Sequence, residues 1–335
     1  MSEANKTYRI LSIDGGGIKG LYSATVIEKL EERYGPLWKH FNLICGTSTG
    51  GIIALAVASG VPAKTIVQFY KEAGPKIFHY KSNFSHSLRR FKHVIATTKY
   101  DNKELKLALE RVFEERTIGD CHTNVLIPSV NMTKGRARIF KSDHVPTLTK
   151  DNQKRLVDVA LATSAAPMFL PITSFETEDG MEEFVDGGLV ANNPSLFGIQ
   201  EYIRYYKDKG EYDDFSLLSL STLHDNVKFE LGKMKRRPPF IKWKDKLFSL
   251  MMDTQSESVH YHILFLLESI KGKYLRIPSL PLTKAEKRHI DLDKAYPKAI
   301  SILSEKGEEV FNKYKEEQEL INFFVKTTKE EPIYV

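Results

Sequence analysis

Ser48 stands at the centre of Gly46-Thr47-Ser48-Thr49-Gly50, and Asp14-Gly15-Gly16-Gly17 precedes it in the chain. Asp186-Gly187-Gly188 follows much later. These residue types supply the three parts of an acyl hydrolase. A serine on a tight strand-to-helix turn has its hydroxyl pushed out over a sheet edge, and flanking glycines such as Gly46 and Gly50 permit the close approach. A glycine-rich turn at a helix N-terminus aims bare N–H groups at a developing negative charge. That assigns Gly15, Gly16 and Gly17 to an oxyanion, with Lys19 just inside the helix adding positive potential. A carboxylate such as Asp186, partly desolvated beside the hydroxyl, can take its proton. A Gly/Ser/Thr-rich turn that only joins strand to helix, and a turn-forming Asp-Gly, carry the same local signatures.

Two rival readings compete for these residues. Gly15, Gly17 and Gly20 also satisfy G-x-G-x-x-G between a strand and a helix, the setting of a dinucleotide fingerprint. That fingerprint wants an acidic residue at the end of the second strand, where Ile44-Cys45-Gly46-Thr47 has none, and the Gly-Lys-Ser/Thr of a P-loop is missing too. Among ten histidines none lies in an obvious motif, but His224, after the strand-like Phe215 to Leu220, stands where a triad histidine could. Asp186 has the better surroundings, because Glu183-Phe184-Val185 leads into it as a strand. An aspartate at a strand end projects into the crevice at the carboxyl edge of an open α/β sheet.

The elements that must position these groups are legible in outline. Tyr8 to Ile13 and Phe41 to Cys45 are short apolar runs of the kind buried parallel strands show, and Gly51 to Ala58 reads as a buried helix. Val125–Val130 and Ala137–Phe140 pattern as paired strands around a turn at Lys134-Gly135. Helical patterns cover 63–73, 101–115, 156–162 and 195–206. The stretch 259–267 reads as part of a buried helix, and 299–315 as a covering helix with Glu305, Lys306, Glu308 and Glu309 exposed.

The ordered set Asp14-Gly15-Gly16-Gly17-Ile18-Lys19-Gly20, Gly46-Thr47-Ser48-Thr49-Gly50 and Asp186-Gly187-Gly188 resembles the patatin-like phospholipases. Ala162-Thr163-Ser164-Ala165-Ala166-Pro167, Leu189 to Pro194 and Leu217 to Leu220 look like the same family, so the resemblance runs from about Tyr8 to about Thr222. It implies a three-layer α/β/α fold with a mostly parallel central sheet. It also implies a serine–aspartate dyad without histidine, with Ser48 the nucleophile, Asp186 the base and the Gly15–Gly17 turn the oxyanion hole. On this reading 1–335 is a single patatin-like domain: 8–222 bears the motifs, and 223–335 adds a basic insertion and covering helices. Two departures stand out: Lys19 takes a usual arginine position, and Leu220-Ser221-Thr222-Leu223 replaces a usual Gly-Thr-Gly. Bacterial members of this kind resemble lipases of cyclic-nucleotide-triggered antiphage systems, which makes a cyclic dinucleotide a candidate activator. The alternatives are a nucleotide-binding protein, such as a nucleotide-dependent oxidoreductase, and a non-catalytic lipid-binding protein of α/β fold.

Composition bounds the rest. The 335 residues are 41% hydrophobic, enough for one large α/β domain. Two cysteines, Cys45 and Cys121, give no disulfide framework and suit a reducing cytosol. No EF-hand loop, His-Glu-x-x-His or paired Cys-x-x-Cys occurs, so neither metal nor cofactor is expected. Met1 to Lys6 lacks the features of a secretory signal, and no apolar run approaches the ~18–20 residues of a membrane span. The net charge is +6, and 233–246 alone holds seven basic residues against one acid, interleaved with Phe240, Ile241 and Trp243. Basic residues mixed with aromatic ones are the composition of an interfacial segment, or of a solvated loop; no nucleic-acid motif accompanies them. A second such stretch, 78–99, could be a lid over the site or a packed connection. The expectation is a cytoplasmic enzyme associated peripherally with the inner membrane face, acting on phospholipid.

Overall fold

The computed structural model describes residues 6–78, 98–223 and 244–324. Among the described residues, eight strands form one mixed sheet: β1 (Thr7–Ile13), β2 (Leu43–Gly46), β3 (Asn124–Asn131), β4 (Arg136–Lys141), β5 (Thr173–Thr177), β6 (Gly180–Asp186), β7 (Asp214–Leu220) and β8 (Gly272–Ile277). Strands β3, β2, β1, β7 and β8 run parallel in that order, while β4, β6 and β5 add antiparallel pairings at the β3 end. The helices are α1 (Gly20–Tyr34), α2 (Thr49–Ala58), α3 (Ala63–Ile77), α4 (Lys103–Phe113), α5 (Leu156–Ser164), α6 (Gly188–Ala191), α7 (Ser195–Tyr205), α8 (Lys244–Leu266), α9 (Lys284–Lys287), α10 (Pro297–Tyr314) and α11 (Gln318–Phe324).

Strand periodicity sorts the core into two layers. Tyr8, Ile10, Leu43, Cys45, Leu126, Phe215 and Leu217 face one side, where Ile199 and Tyr202 of α7 and Ile263 of α8 cover them. Leu11, Ile13, Ile44, Val125, Ile127, Leu218 and Leu220 face the other, under α1 to α5 and α10. Successive side chains on a strand point to opposite faces, so a strand covered on both sides must be apolar throughout. That is why β1, β2 and β7 read as near-continuous apolar runs, and it makes the molecule the expected α/β/α sandwich. The expected paired strands around Lys134-Gly135 are β3 and β4.

One expectation fails in part. The stretch 259–267 is helical through Leu266, but it is not buried: Ile263 is fully covered, whereas Tyr261, Leu264 and Phe265 are exposed. Its apolar composition suggested an enclosed helix, yet α8 touches the body along one narrow stripe only. No described helix is long and apolar enough to cross a membrane.

Candidate active site

Three parallel neighbours, β2, β1 and β7, end together, so the turns that follow them lie side by side at the carboxyl edge of the sheet. The turn after β2 carries Ser48, the turn after β1 carries Gly15 to Gly17, and Thr222 follows β7. The aspartate arrives differently. Leu126 of β3 pairs with both Cys45 of β2 and Lys141 of β4, while Ser129 pairs with both Asp186 of β6 and Arg138 of β4. A strand has two edges and β4 holds one of them, so β2 and β6 share the other, end to end. β2 runs with β3 and β6 runs against it, so their carboxyl ends meet near Pro128. Proline there removes a donor that neither strand could use.

This junction brings Ser48 and Asp186 together. Ser48 Oγ donates to Asp186 Oδ2 at 2.7 Å. Ser48 has φ 54° and ψ −124°, a left-handed backbone that strains any residue with a Cβ. Neighbours hold it there: its N–H donates to Thr163 Oγ1 at 3.0 Å, and that hydroxyl donates to Pro128 O at 2.6 Å. Gly50 must be glycine, since a Cβ would lie 2.3 Å from Ile13 O. The close contact of the two turns allows no side chain.

Asp186 is fully buried. Its Oδ1 accepts the Gly188 N–H at 2.6 Å, and its backbone N–H and that of Gly187 are tied to Ala165 O and Thr163 O. Burial pushes its carboxyl up to about 7, against the smaller opposing effects of the Ser48 hydroxyl and the Gly188 N–H. A carboxyl poised near neutrality is a competent general base, whereas a fully solvated one is too weak.

The glycine turn faces this pair, with one correction to the expected donor set. The Gly15 N–H already donates to Asn192 O at 3.0 Å, so it is not available to an oxyanion. Among the described residues the N–H groups of Gly16 and Gly17 have no such loop partner. Thr222 donates to Gly15 O at 2.9 Å and packs against Gly16, which gives a role to the sequence that replaces the usual Gly-Thr-Gly. Lys19 is buried at the end of the short 3-10 turn Gly17–Lys19, its backbone N–H on Gly16 O.

An apolar pocket opens beside Ser48 and Asp186. Ile18, Ile52, Tyr70, Ile77, Phe169 and Phe248 are among its walls. The Tyr70 hydroxyl is tied to Thr49, donating to its carbonyl at 3.0 Å, so the ring presents only its apolar face. A hydrocarbon chain fits such walls, and a charged group does not. Helix α8 completes the enclosure through Phe248 and Met252, and it is clamped to the site: Asn192 Nδ2 donates to Ser256 Oγ at 2.9 Å, and the Asn192 N–H donates to Gln255 Oε1.

Ser48, Asp186, Gly16, Gly17, Gly46, Gly50, Gly187 and Gly188 thus converge on one place. His224, most of the 78–99 stretch and most of the basic 233–246 segment lie outside the described residues. Among the described residues no group of three or more potential metal ligands occurs. Sequence reasoning flagged the segments holding Thr163 and Asn192 but gave those residues no role, and it missed Pro128 and Arg276. A threonine four residues before a Pro and a lone arginine in a late strand carry no local signal.

The family model of patatin-like phospholipases matches residues 11–196. A cGAMP-activated phospholipase of Pseudomonas aeruginosa is 36% identical over 302 residues, spanning 90% of this chain and 87% of its own. One of Escherichia coli is 30% identical over 340 residues, spanning 96% and 94%. Patatin-like protein 4 of Arabidopsis thaliana is 30% identical over 322 residues, spanning 83% and 77%.

Proposed function

This chain belongs to the patatin-like phospholipase family and is a lipid hydrolase, and from that premise we propose that Ser48 and Asp186 act as a dyad cleaving fatty-acyl esters of membrane phospholipids. The observation that carries this is the buried 2.7 Å contact between Ser48 Oγ and Asp186 Oδ2 at the mouth of an apolar pocket.

Ser48 Oγ attacks the acyl carbonyl as Asp186 Oδ2 takes its proton. The carbonyl oxygen becomes an oxyanion facing the Gly16 and Gly17 N–H groups. Collapse breaks the ester bond, and Asp186 returns the proton to the departing lysolipid oxygen. Water then attacks the acyl-enzyme as Asp186 takes its proton; the bond from Ser48 Oγ to the acyl carbon breaks, Asp186 returns the proton to Ser48 Oγ, and fatty acid leaves. The acyl chain occupies the pocket walled by Ile52, Tyr70 and Ile77.

The relatives named cGAMP-activated phospholipase support a regulated form of this activity. On this reading a cyclic dinucleotide switches on a membrane-damaging effector of bacterial antiphage defence. The enzyme works from the cytoplasmic side, and 233–246 attaches it to anionic head groups.

Mass spectrometry of lipid extracts incubated with the protein, with and without cGAMP, is the test. Free fatty acid and lysolipid should form. Ser48→Ala and Asp186→Asn should each lose activity by several orders of magnitude, and the double variant should be hardly worse, since the two act as one unit. A Ser48→Ala protein keeping more than about a tenth of the rate would remove the nucleophile assignment. Activity of equal size with and without cGAMP would remove the switch.

A further inference from the structure

We propose that Arg276, on β8, is a positioning residue that sets the oxyanion turn through Asp14; this rests on the reading of Gly16 and Gly17 as oxyanion donors. Arg276 lies two strands from β1 and beyond the stretch that carries the sequence motifs. Its guanidinium spans β7 to reach the residue that opens the glycine turn. Nη2 donates to Asp14 Oδ2 at 2.5 Å, and Nη1 donates to Ser219 Oγ at 2.6 Å and lies 3.4 Å from Asp14 Oδ1. Asp14 is fully buried, and the Arg276 side chain is 12% exposed.

Two consequences follow from that placement. The first is geometric. A planar fork holding both carboxylate oxygens fixes the orientation of the carboxylate, not only its distance. The backbone of the same residue is held by its N–H on Leu220 O, and the next residue by Thr222 on Gly15 O and by the Gly15 N–H on Asn192 O. The turn is therefore held on its N-terminal side at the Asp14 N–H, the Asp14 carboxylate and both backbone polar groups of Gly15, leaving the next two N–H groups without a loop partner. The second is electrostatic. A bare carboxylate two residues before the donors would oppose the negative charge that forms on the substrate; Arg276 cancels it. A buried ion pair is weak evidence for stability alone, and this one is spent where angular precision matters to the chemistry.

The test uses the full-length protein with a soluble ester and an alkyl trifluoromethyl ketone, which adds to a serine to form a tetrahedral oxyanion. Arg276→Lys keeps the charge but loses the fork. It should lower kcat about ten-fold with KM nearly unchanged, and weaken the ketone by the same factor, less than the ~10²–10³ expected for outright loss of an oxyanion donor. Arg276→Gln, which leaves Asp14 uncompensated, should fall further, and adding Asp14→Asn to it should recover part of the loss. If Arg276→Gln does not fold, Arg276→Lys and the Asp14→Asn/Arg276→Gln pair still decide. Unchanged ketone affinity in a folded Arg276→Lys protein overturns the proposal, as does a wild-type kcat. Failure of the underlying reading looks different: the wild-type protein itself would not be inhibited, or Ser48→Ala would bind the ketone as well as wild type.

Discussion

Catalysis and stability should respond to pH in opposite directions, through one carboxyl group. Burial raises Asp186 from an ordinary 3.8 to about 7. As the base it must be ionised, so kcat/KM for a soluble ester should rise through pH 7. It should stand roughly ten-fold below its plateau at pH 6 and roughly a hundred-fold below at pH 5. The stability effect has the other sign. A folded value above the unfolded one stabilises the protein fully below pH 3.8, and that contribution is lost as pH rises toward 7. The difference of about three units corresponds to about 4 kcal/mol, declining by ~1.4 kcal/mol per pH unit across the window and flat above it. Asp186→Asn keeps the shape and cannot titrate, so subtracting its unfolding free energy from that of the wild type isolates the group. Urea unfolding of both proteins from pH 4.5 to 8, beside the wild-type rate profile, is the assay. A rate plateau extending down to pH 5 together with a flat stability difference would show an ordinarily ionised Asp186 and refute the burial argument.

Other consequences are equally direct. Thr163→Val deletes the hydroxyl between Ser48 N–H and Pro128 O. Each group left buried without a partner costs about 1–3 kcal/mol, so urea unfolding should show a loss of several kcal/mol and the turnover of the remaining folded protein should drop. Gly16→Ala places a Cβ 2.7 Å from Thr222 Oγ1; turnover of a soluble ester should fall at least about ten-fold, and a normal rate in a folded variant would put the donors elsewhere. Ile77→Trp should fill the pocket and cut hydrolysis of long-chain esters while sparing short-chain ones, as read from rates across a series of acyl lengths. Reversing Lys242, Lys244 and Lys246 to glutamate should weaken binding to anionic vesicles, since each basic residue near the surface contributes about 1 kcal/mol, and leave soluble-ester hydrolysis unchanged. Equal co-sedimentation of both forms would make that segment an ordinary solvated loop.

The sequence alone determined everything that depends on a short stretch of chain. The apolar runs of β1, β2 and β7, the helix after Ser48 and the glycine turn before Lys19 are each specified by neighbours within a few positions, because strand and helix periodicity and turn chemistry are local properties. The order of Ser48, the Gly15–Gly17 turn and Asp186 pointed to an acyl hydrolase for the same reason. What only the tertiary structure decided lies between residues far apart. Ser48 meets Asp186 because an antiparallel β6 takes over the β3 edge that β2 leaves, a pairing across 138 positions. Gly15 is withdrawn from the oxyanion donors by Asn192, and Arg276 reaches Asp14 across 262 positions. The poised carboxyl of Asp186 is also a tertiary product, since desolvation is set by what packs around a group and not by its neighbours in sequence. The exposure of α8 belongs here too: an apolar composition tells how much surface a helix could bury, and only the packed neighbours decide how much of it they cover.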